Sequence, residues 1–286
     1  MDYEKKEGRY PEDLLIRARD EVSKMSISDN AFFVNIMKDP KVFKHIIRLV
    51  LGEEMEIVGE IEEVHTEYTY TVPGFKGVRL DAVARDSNGD LCHIELENSL
   101  ERATIERARV YRAISDAHSL RPGDSYEDIK RGISIFLVAG DVFGRGEVKY
   151  SFEYMERRLG FSAKAGSHIL FVNINADVEG ELGAMLRGLR EPNAQKIDDI
   201  ILSSAVSYIK GDDYFMVQIY DTKIRLSAER EKEISQISYE KGMADGKLIV
   251  LKEMVLNGHK QGLSSDSLAS ITGLTSEEIE AIINSN

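Results

Sequence analysis

The chain has 286 residues, of which 42% are hydrophobic and 30% charged, so it can bury a core and is expected to be a globular protein. Its net charge of −13 counts against a nucleic-acid binder, because such proteins usually present basic surfaces. No run approaches the roughly 20 apolar residues of a membrane helix, and the charged residues 1–6 are unlike a signal peptide. We therefore expect a cytoplasmic protein that makes no membrane contact. The single cysteine, Cys92, excludes an internal disulfide and is expected in the core.

The N-terminal part of the chain is predicted to be helical. Residues 1–27 form a polar lead-in, and Ser28 and Asp29 precede the next helix as typical N-cap residues. Asp39 is likewise a typical N-cap residue, and Pro40 suits the first helical turn, so a further helix is expected to start there. The three predicted helices cover residues 11–25, 30–37 and 41–51.

Three antiparallel strands are predicted next, over residues 61–72, 78–85 and 91–97. Because side chains alternate along a strand, each of these runs has an apolar face and a polar face. The polar face of the second strand carries Arg79 and Asp81. That of the third carries His93, Glu95 and Glu97. The acids therefore stand opposite an apolar face.

The turn between the second and third strands decides whether Asp81 meets Glu95. If residues 87–89 form a three-residue loop with Gly89 left-handed, Asp86 pairs with Asp90 and the two acids face each other. If Asn88 and Gly89 alone form the turn, the register slips by one residue and the acids fall on opposite faces. We favour the three-residue loop, because it gathers the charges on one face.

The rest of the chain is predicted to complete an α/β domain. A helix over residues 99–119 and a buried strand over 132–139 follow the three strands, and two more strands cover 149–155 and 168–175. Helices over 178–189 and 193–209 should cover the sheet. Residues 221–286 form a helical appendage with a long exposed helix over 229–256 and a helix-turn-helix-like end. The second helix of that end is acidic, which favours a structural or partner-binding role over groove reading.

The ordered motifs resemble the PD-(D/E)XK nuclease superfamily. The sequence Arg-Leu-Asp at 79–81, a glycine turn, and Ile-Glu-Leu-Glu at 94–97 are most similar to the branch described as recombination-promoting nuclease or PD-(D/E)XK family transposase. Arg-Ala-Arg-Val-Tyr at 107–111 and Asp-Val-Phe-Gly at 141–144 are similar to later motifs of that branch. The likeness spans about residues 28–220. It implies an αβββαβ restriction-endonuclease-like core with a mixed sheet, in agreement with the predicted order of elements.

The resemblance implies a metal-dependent DNA endonuclease in which Asp81, Glu95 and Glu97 are catalytic. Asp81 and Glu95 would bind Mg²⁺ or Mn²⁺, which polarises a phosphate and lowers the pKa of an attacking water. The plainer alternative is two solvated acids on an exposed sheet face. A further acid from the first helix is typical of the superfamily, and the nearby choices are Asp29, Glu53 and Glu54.

Glu97 departs from the superfamily, where a lysine, or in this branch a glutamine, is typical. A third carboxylate either acts as a general base and extra metal ligand or repels the phosphate. Arg79 is interpreted as a cross-strand partner of Glu97 or as a phosphate contact.

DNA is the expected partner. The candidate contacts to its backbone are basic residues near the acids, although pairing with Glu101 and Glu106 is an equally economical use for those on the helix. The C-terminal helices are the candidate surface for a homodimer. A different class of function also fits: an acidic regulatory scaffold whose nuclease-like core has lost its chemistry. The candidate backbone contacts are Arg79, Arg102, Arg109 and Arg112.

Overall fold

The computed structural model describes residues 10–52, 59–71, 74 and 77–284. The chain divides into two compact units, Met1–Lys223 and Ile224–Asn286. The division falls inside a 48-residue helix, close to the predicted boundary at residue 220. The predicted lead-in helix belongs to the first unit, because Ala18 and Val22 on its inner side are buried.

The first unit is built from helices, a mixed six-stranded sheet and a separate two-stranded hairpin. Its helices are α1 (Glu12–Ser23), α2 (Asn30–Ile36), α3 (Pro40–Leu51), α4 (Ile105–Ala117), α5 (Gly180–Arg190) and α6 (Ile200–Lys210), and α7 (Asp213–Lys260) starts here. Its strands are β1 (His65–Tyr70), β2 (Val78–Arg85), β3 (Leu91–Glu97), β4 (Gly132–Val138), β5 (Lys149–Phe152), β6 (Met155–Glu156), β7 (Phe161–Ser162) and β8 (Ser167–Asn173).

The six-stranded sheet has the order β1-β2-β3-β4-β8-β5. Strands β1, β2 and β3 are antiparallel neighbours, whereas β3, β4 and β8 run parallel, and β5 returns antiparallel at the edge. The elements from α3 to β4 follow the predicted order of helix, three strands, helix and strand. All seven residues of β4 are buried, as its continuous apolar run predicted.

Local sequence signals explain the helix starts. The Asp39 carboxylate accepts the Lys41 N–H at 2.9 Å and Pro40 occupies the first helical position, so α3 begins as predicted. Asp29 precedes α2, but its carboxylate accepts the Ser26 N–H at 2.8 Å and caps no helical N–H. The other two first-helix acids considered above, Glu53 and Glu54, lie outside the described residues.

Several predicted boundaries differ from the structure. The first strand begins at His65 and not at residue 61, the strand predicted over 149–155 ends at Phe152, and the long helix predicted over 229–256 is part of α7, which runs from Asp213 to Lys260.

Two further helices start later than predicted because of side-chain caps. The helix predicted over residues 99–119 begins only at Ile105, because the Thr104 hydroxyl accepts the Arg107 N–H and caps α4 there. The helix predicted over 193–209 is interrupted: a short 3₁₀ turn, Ala194–Lys196, precedes α6, whose N-cap Asp199 accepts two helical N–H groups. In both cases a side-chain cap sets the start that apolar spacing had placed too early.

The α4 side of the sheet carries an aromatic cluster. Ala108 of α4 packs on Phe136 and Phe171, whose rings stack with centroids 5.1 Å apart.

Cys92 on β3 is buried, as predicted, and burial raises the pKa of its thiol to about 12. None of the helices in the described parts of the chain has the length and apolar character needed to cross a bilayer.

The second unit holds a small helical core of its own. It contains α8 (Ser265–Thr272) and α9 (Ser276–Asn284), and Val255 of α7 packs there with Leu268 and Ile279. Gly273, with a φ of 72°, ends α8. The Thr275 hydroxyl accepts the Glu278 N–H at 3.3 Å, so the predicted helix, glycine turn and threonine-capped helix are confirmed.

Candidate active site

The turn between β2 and β3 sets the register of the two candidate acids. The Asp86 carboxylate accepts the N–H groups of Asn88 and Asp90, both at 2.9 Å, and Asp86 pairs with Asp90 through backbone hydrogen bonding at 3.1 Å. Gly89 has a φ of 86°. The three-residue loop is therefore confirmed, and it places Ala82 opposite Ile94.

Continuing this register by one residue brings Asp81 opposite Glu95. At this point each carboxylate bonds to the backbone of the other strand. The Asp81 N–H donates to Glu95 Oε1 at 3.2 Å, and the Leu96 N–H donates to Asp81 Oδ2 at 3.0 Å. Asp81 is half-buried and Glu95 is only 1% exposed. The two acids are consequently close neighbours in a setting shielded from water, and not solvated side chains on an open face.

Burial makes these carboxyl groups reluctant to ionise. It raises the pKa of Asp81 to about 8, and the neighbouring Glu95 charge contributes to that rise. Burial likewise raises the pKa of Glu95 to about 8, while the Arg107 charge opposes that rise. At neutral pH the pair therefore retains protons that a divalent cation can displace.

The residues present fit a magnesium ion better than a closed metal cage. Glu95 Oε2 is buried and accepts no hydrogen bond from any described residue, so this oxygen is available as a ligand. Over residues 10–52, 59–71, 74 and 77–284, no group of three or more His, Cys, Asp or Glu side chains could hold a metal. Mg²⁺ is commonly bound by one or two carboxylates and several waters. Asp81 and Glu95 can provide the two carboxylates.

Glu97 is engaged by basic groups. Its Oε2 forms a close ion pair with Arg107 Nη1 and lies 3.4 Å from Arg102 Nε, and its Oε1 accepts the Ser99 N–H at 3.1 Å. Glu97 as a whole residue is 7% exposed. Glu97 is thus held by these donors in place of the open position that a general base or an extra metal ligand would need.

Arg107 links Glu97 to the α4 helix. Its Nη2 donates to the Tyr111 hydroxyl at 3.0 Å, and its guanidinium carbon lies 5.0 Å from the centre of that ring. The Arg107 charge lowers the pKa of both Asp81 and Glu95. Arg107 therefore places a positive charge beside Asp81 and Glu95, and Glu97 is the acid that pairs with this charge.

The four arginines predicted to contact DNA have different environments. Arg79 is exposed, and its charge lowers the pKa of Asp81 and Glu95. Arg109 is exposed on α4, whereas Arg102 lies in the turn before that helix. Arg112 contradicts its prediction, because it is only 4% exposed.

Arg112 has a structural role under α4. Its Nε donates to Asp116 Oδ1 at 3.0 Å, and a Cβ added at Gly132 would lie 2.2 Å from its guanidinium carbon. The guanidinium therefore lies directly over a glycine of β4 and cannot reach a phosphate at the surface. Next to it His93 is fully buried, and burial followed by the Arg112 charge lowers the pKa of its imidazole to about 3.

The motif at residues 141–144 forms a side-chain-stabilised turn. The Asp141 carboxylate accepts the N–H groups of Phe143, Gly144 and Gly146 at 2.7–3.1 Å, and the Tyr150 hydroxyl at 2.6 Å. The Tyr150 hydrogen bond and these amides lower the pKa of Asp141. The role of Asp141 in the structure is to shape the loop after β4.

Sequence reasoning did not identify two residues near the acids. Arg107 was interpreted as part of the Arg-Ala-Arg-Val-Tyr motif, and its pairing with Glu97 was not predicted. Glu67 falls opposite Asp81, because the pairings of Thr66 with Ala82 and of Tyr68 with Leu80 enclose that position. No turn signal fixed the register of β1, so this neighbour could not be found from the sequence. Glu67 also has a φ of 54°, which interrupts the regular alternation of the strand.

Comparison with known proteins does not extend these observations. No protein-family model, curated protein or solved structure matches the chain.

Proposed function

We propose that the protein is a metal-dependent DNA endonuclease that hydrolyses phosphodiester bonds, of the recombination-promoting nuclease or PD-(D/E)XK family transposase type. The observation that carries the proposal is the neighbouring pair Asp81 and Glu95, whose raised pKa values and buried, unbonded Glu95 Oε2 fit a divalent cation. The motif resemblance supplies the class of substrate.

Asp81 and Glu95 would hold Mg²⁺ or Mn²⁺ through their carboxylate oxygens. When bound, the ion supplies Lewis-acid polarisation of the phosphate and lowers the pKa of a bound water. The protein residues align the substrate beside this position. Arg79, Arg102 and Arg109 are exposed and can contact flanking phosphates. Glu95 is buried and Asp81 half-buried, and a backbone N–H of the facing strand holds each carboxylate.

Glu97 and Arg107 together replace the lysine that is typical of the superfamily. A lysine would add one positive charge beside the attacking water. Here Glu97 anchors Arg107, whose charge already lowers the pKa of both metal-binding acids. In this proposal Glu97 is a positioning residue, and Arg107 supplies the positive field.

The test is cleavage of supercoiled plasmid by purified protein with Mg²⁺ or Mn²⁺. Wild type should nick or cut the plasmid, and Asp81→Asn or Glu95→Gln should abolish this while leaving the circular dichroism spectrum unchanged. The exposed Glu106→Gln substitution on α4 is the matched control and should cut normally. A wild type that binds neither ion by calorimetry and leaves the plasmid intact would show that the proposal is wrong.

A second function is favoured by the net charge of −13 and by the third carboxylate at Glu97. Both features oppose the approach of a polyanion. In that case the protein is a regulatory scaffold that retains the fold without the chemistry, and it should bind a protein partner with Asp81 and Glu95 both dispensable.

A further inference from the structure

A small hairpin projects between β5 and β8 outside the main sheet. Its strands β6 and β7 pair only with each other, with Met155 opposite Ser162 and Glu156 opposite Phe161. The Gly160 N–H donates to the Glu156 carbonyl at 2.9 Å and closes the turn. Four large apolar side chains of this hairpin are more than half exposed: Tyr154, Met155, Leu159 and Phe161. Such a group of exposed apolar residues indicates an interaction surface.

The acidic and the basic side chains of the hairpin differ in their contacts. Glu153 accepts the Ser162 hydroxyl at 2.8 Å, and Glu156 accepts the Leu159 N–H at 2.5 Å, so both acids stabilise the hairpin itself. The three cations are exposed, and among the described residues none of them has an ion-pair partner; they are Arg157, Arg158 and Lys164. Glu153 and Glu156 keep their charges, so three cations and two acids give residues 153–164 a net charge of +1 in a chain of net charge −13, and the cations are available to a polyanion.

Two aromatic rings share one face of this hairpin. Glu156 pairs with Phe161, and Tyr154 lies two residues before Glu156, so alternation puts both rings on the same side. They are diagonal neighbours, for which the spacing is about 7–8 Å. Their side chains are 64% and 53% exposed, and neither ring contacts another ring in the described part of the chain. Two exposed rings at this spacing can each accept one unstacked base.

The hairpin lies within reach of a substrate bound at the acids. It continues from β5, and β5 is three strand positions from β3 in the sheet order. Three spacings of about 4.8 Å give a lateral separation of about 14 Å. The position on β5 that is level with Glu95 is Tyr150, and Tyr154 follows four residues later towards the opposite end of the parallel strands, which adds up to about 13 Å along the strand direction. The resulting separation is about 19 Å. A strand of nucleic acid covers that span with only a few nucleotides.

We propose that the hairpin of residues 153–164 binds a single-stranded stretch of nucleic acid, with its three cations on the phosphates and with Tyr154 and Phe161 stacked on two bases. This names a binding surface for the substrate class given above and rests on the proposed function for that class. Phosphate contacts supply affinity without sequence preference, and ring stacking requires bases that are not paired.

The test uses the full chain in EDTA, so that binding is measured without cleavage. Fluorescence anisotropy follows a labelled oligothymidylate and a labelled duplex over a range of salt concentrations. Arg157→Gln/Arg158→Gln should reduce the slope of log affinity against log salt by about 1.4, at about 0.7 for each phosphate contact to a single strand. Tyr154→Ala and Phe161→Ala should each weaken single-strand binding by about 5- to 150-fold.

A matched control keeps charge and size comparable. Lys252→Gln/Lys260→Gln removes two exposed cations from α7 and should leave the slope unchanged. Thermal unfolding checks that each hairpin variant is folded. The proposal is overturned if the hairpin variants bind the oligonucleotide as wild type does, or if they lose only duplex binding. Loss of self-association with unchanged oligonucleotide binding would also overturn it, since the surface would then be a protein interface.

The outcomes separate this proposal from the endonuclease proposal. If plasmid cleavage needs Asp81 and Glu95 but the hairpin variants bind normally, only the hairpin proposal fails. If the hairpin variants lose oligonucleotide binding but no condition gives cleavage, only the endonuclease proposal fails.

Discussion

Glu95 makes the stability of the protein depend on pH in a direction opposite to that of ordinary carboxylates. Burial raises the pKa of Glu95 to about 8, whereas an unfolded glutamate has a pKa of about 4.3. Between these two values the unfolded state has released the proton and the folded state still holds it. The contribution of Glu95 to the free energy of unfolding should therefore fall by about 1.4 kcal/mol per pH unit as the pH rises, until the folded state ionises near pH 8.

The substitution Glu95→Gln removes this titration while preserving the shape of the side chain. The substituted side chain is a neutral amide at every pH, and its oxygen can still accept the Asp81 N–H that Glu95 Oε1 accepts. The variant should therefore gain stability relative to wild type by about 2.3 kcal/mol between pH 6 and pH 8, because the slope of about 1.4 kcal/mol per pH unit flattens as folded Glu95 becomes half-ionised at pH 8. The gain comes from avoiding the proton uptake that folding otherwise requires.

Urea denaturation followed by far-ultraviolet circular dichroism measures this effect at pH 6, 7 and 8 in EDTA. The exposed Glu106→Gln substitution is the control, and its stability relative to wild type should stay level over the same range. A constant difference between Glu95→Gln and wild type from pH 6 to pH 8 would refute the buried, protonated state of Glu95. Adding Mn²⁺ at pH 8 should stabilise wild type and not the variant.

Three further changes test other parts of the structure. Glu97→Lys should place a positive charge against Arg107, so we expect plasmid cleavage to fall and the free energy of unfolding to drop by about 3 kcal/mol, as for a broken buried ion pair. Gly132→Ala should displace the Arg112 guanidinium, which lies 2.2 Å from the new Cβ, and lower the melting temperature. The thiol of Cys92 should stay unreactive towards a disulfide reagent until the protein unfolds, because it is buried and its pKa is raised to about 12.

Matched substitutions separate these specific effects from a non-specific loss of folding or activity. Glu101→Lys changes an exposed acid near Glu97 and should alter neither cleavage nor stability strongly. Gly242→Ala, at an α7 glycine with open space around it, should stabilise the helix by about 1 kcal/mol. Higher cleavage by Glu97→Lys would show that the acid only hinders the site. A Gly132→Ala variant as stable as wild type would contradict the packing of Arg112.

Local signals in the sequence were sufficient for the central hairpin. Asp86, Asn88 and Gly89 specify a three-residue loop through side-chain capping and a left-handed glycine, and that loop fixes the register of β2 against β3. The pairing of Asp81 with Glu95 followed directly. The strands could be predicted because each alternates clearly or is continuously apolar.

Contacts between distant elements were not readable in the same way. Arg112 was predicted at a DNA surface because it lies on a basic helix, but α4 turns it onto Gly132 of β4. Arg107 lies in the first turn of α4 and pairs with Glu97 at the end of β3, and no local pattern in the sequence indicated this contact. Rotation of a helix against a sheet is set by packing over the whole interface, and a single sequence does not specify it.

The central claim is that Asp81 and Glu95 together hold a divalent cation, and a crystal soaked in Mn²⁺ at pH 8.5 tests it most directly. One anomalous peak is expected about 2 Å from carboxylate oxygens of both residues, since such distances are typical of a hard cation on oxygen ligands. Crystals of the Glu95→Gln variant should lack the peak. Anomalous density elsewhere, or none between these two side chains, would contradict the claim.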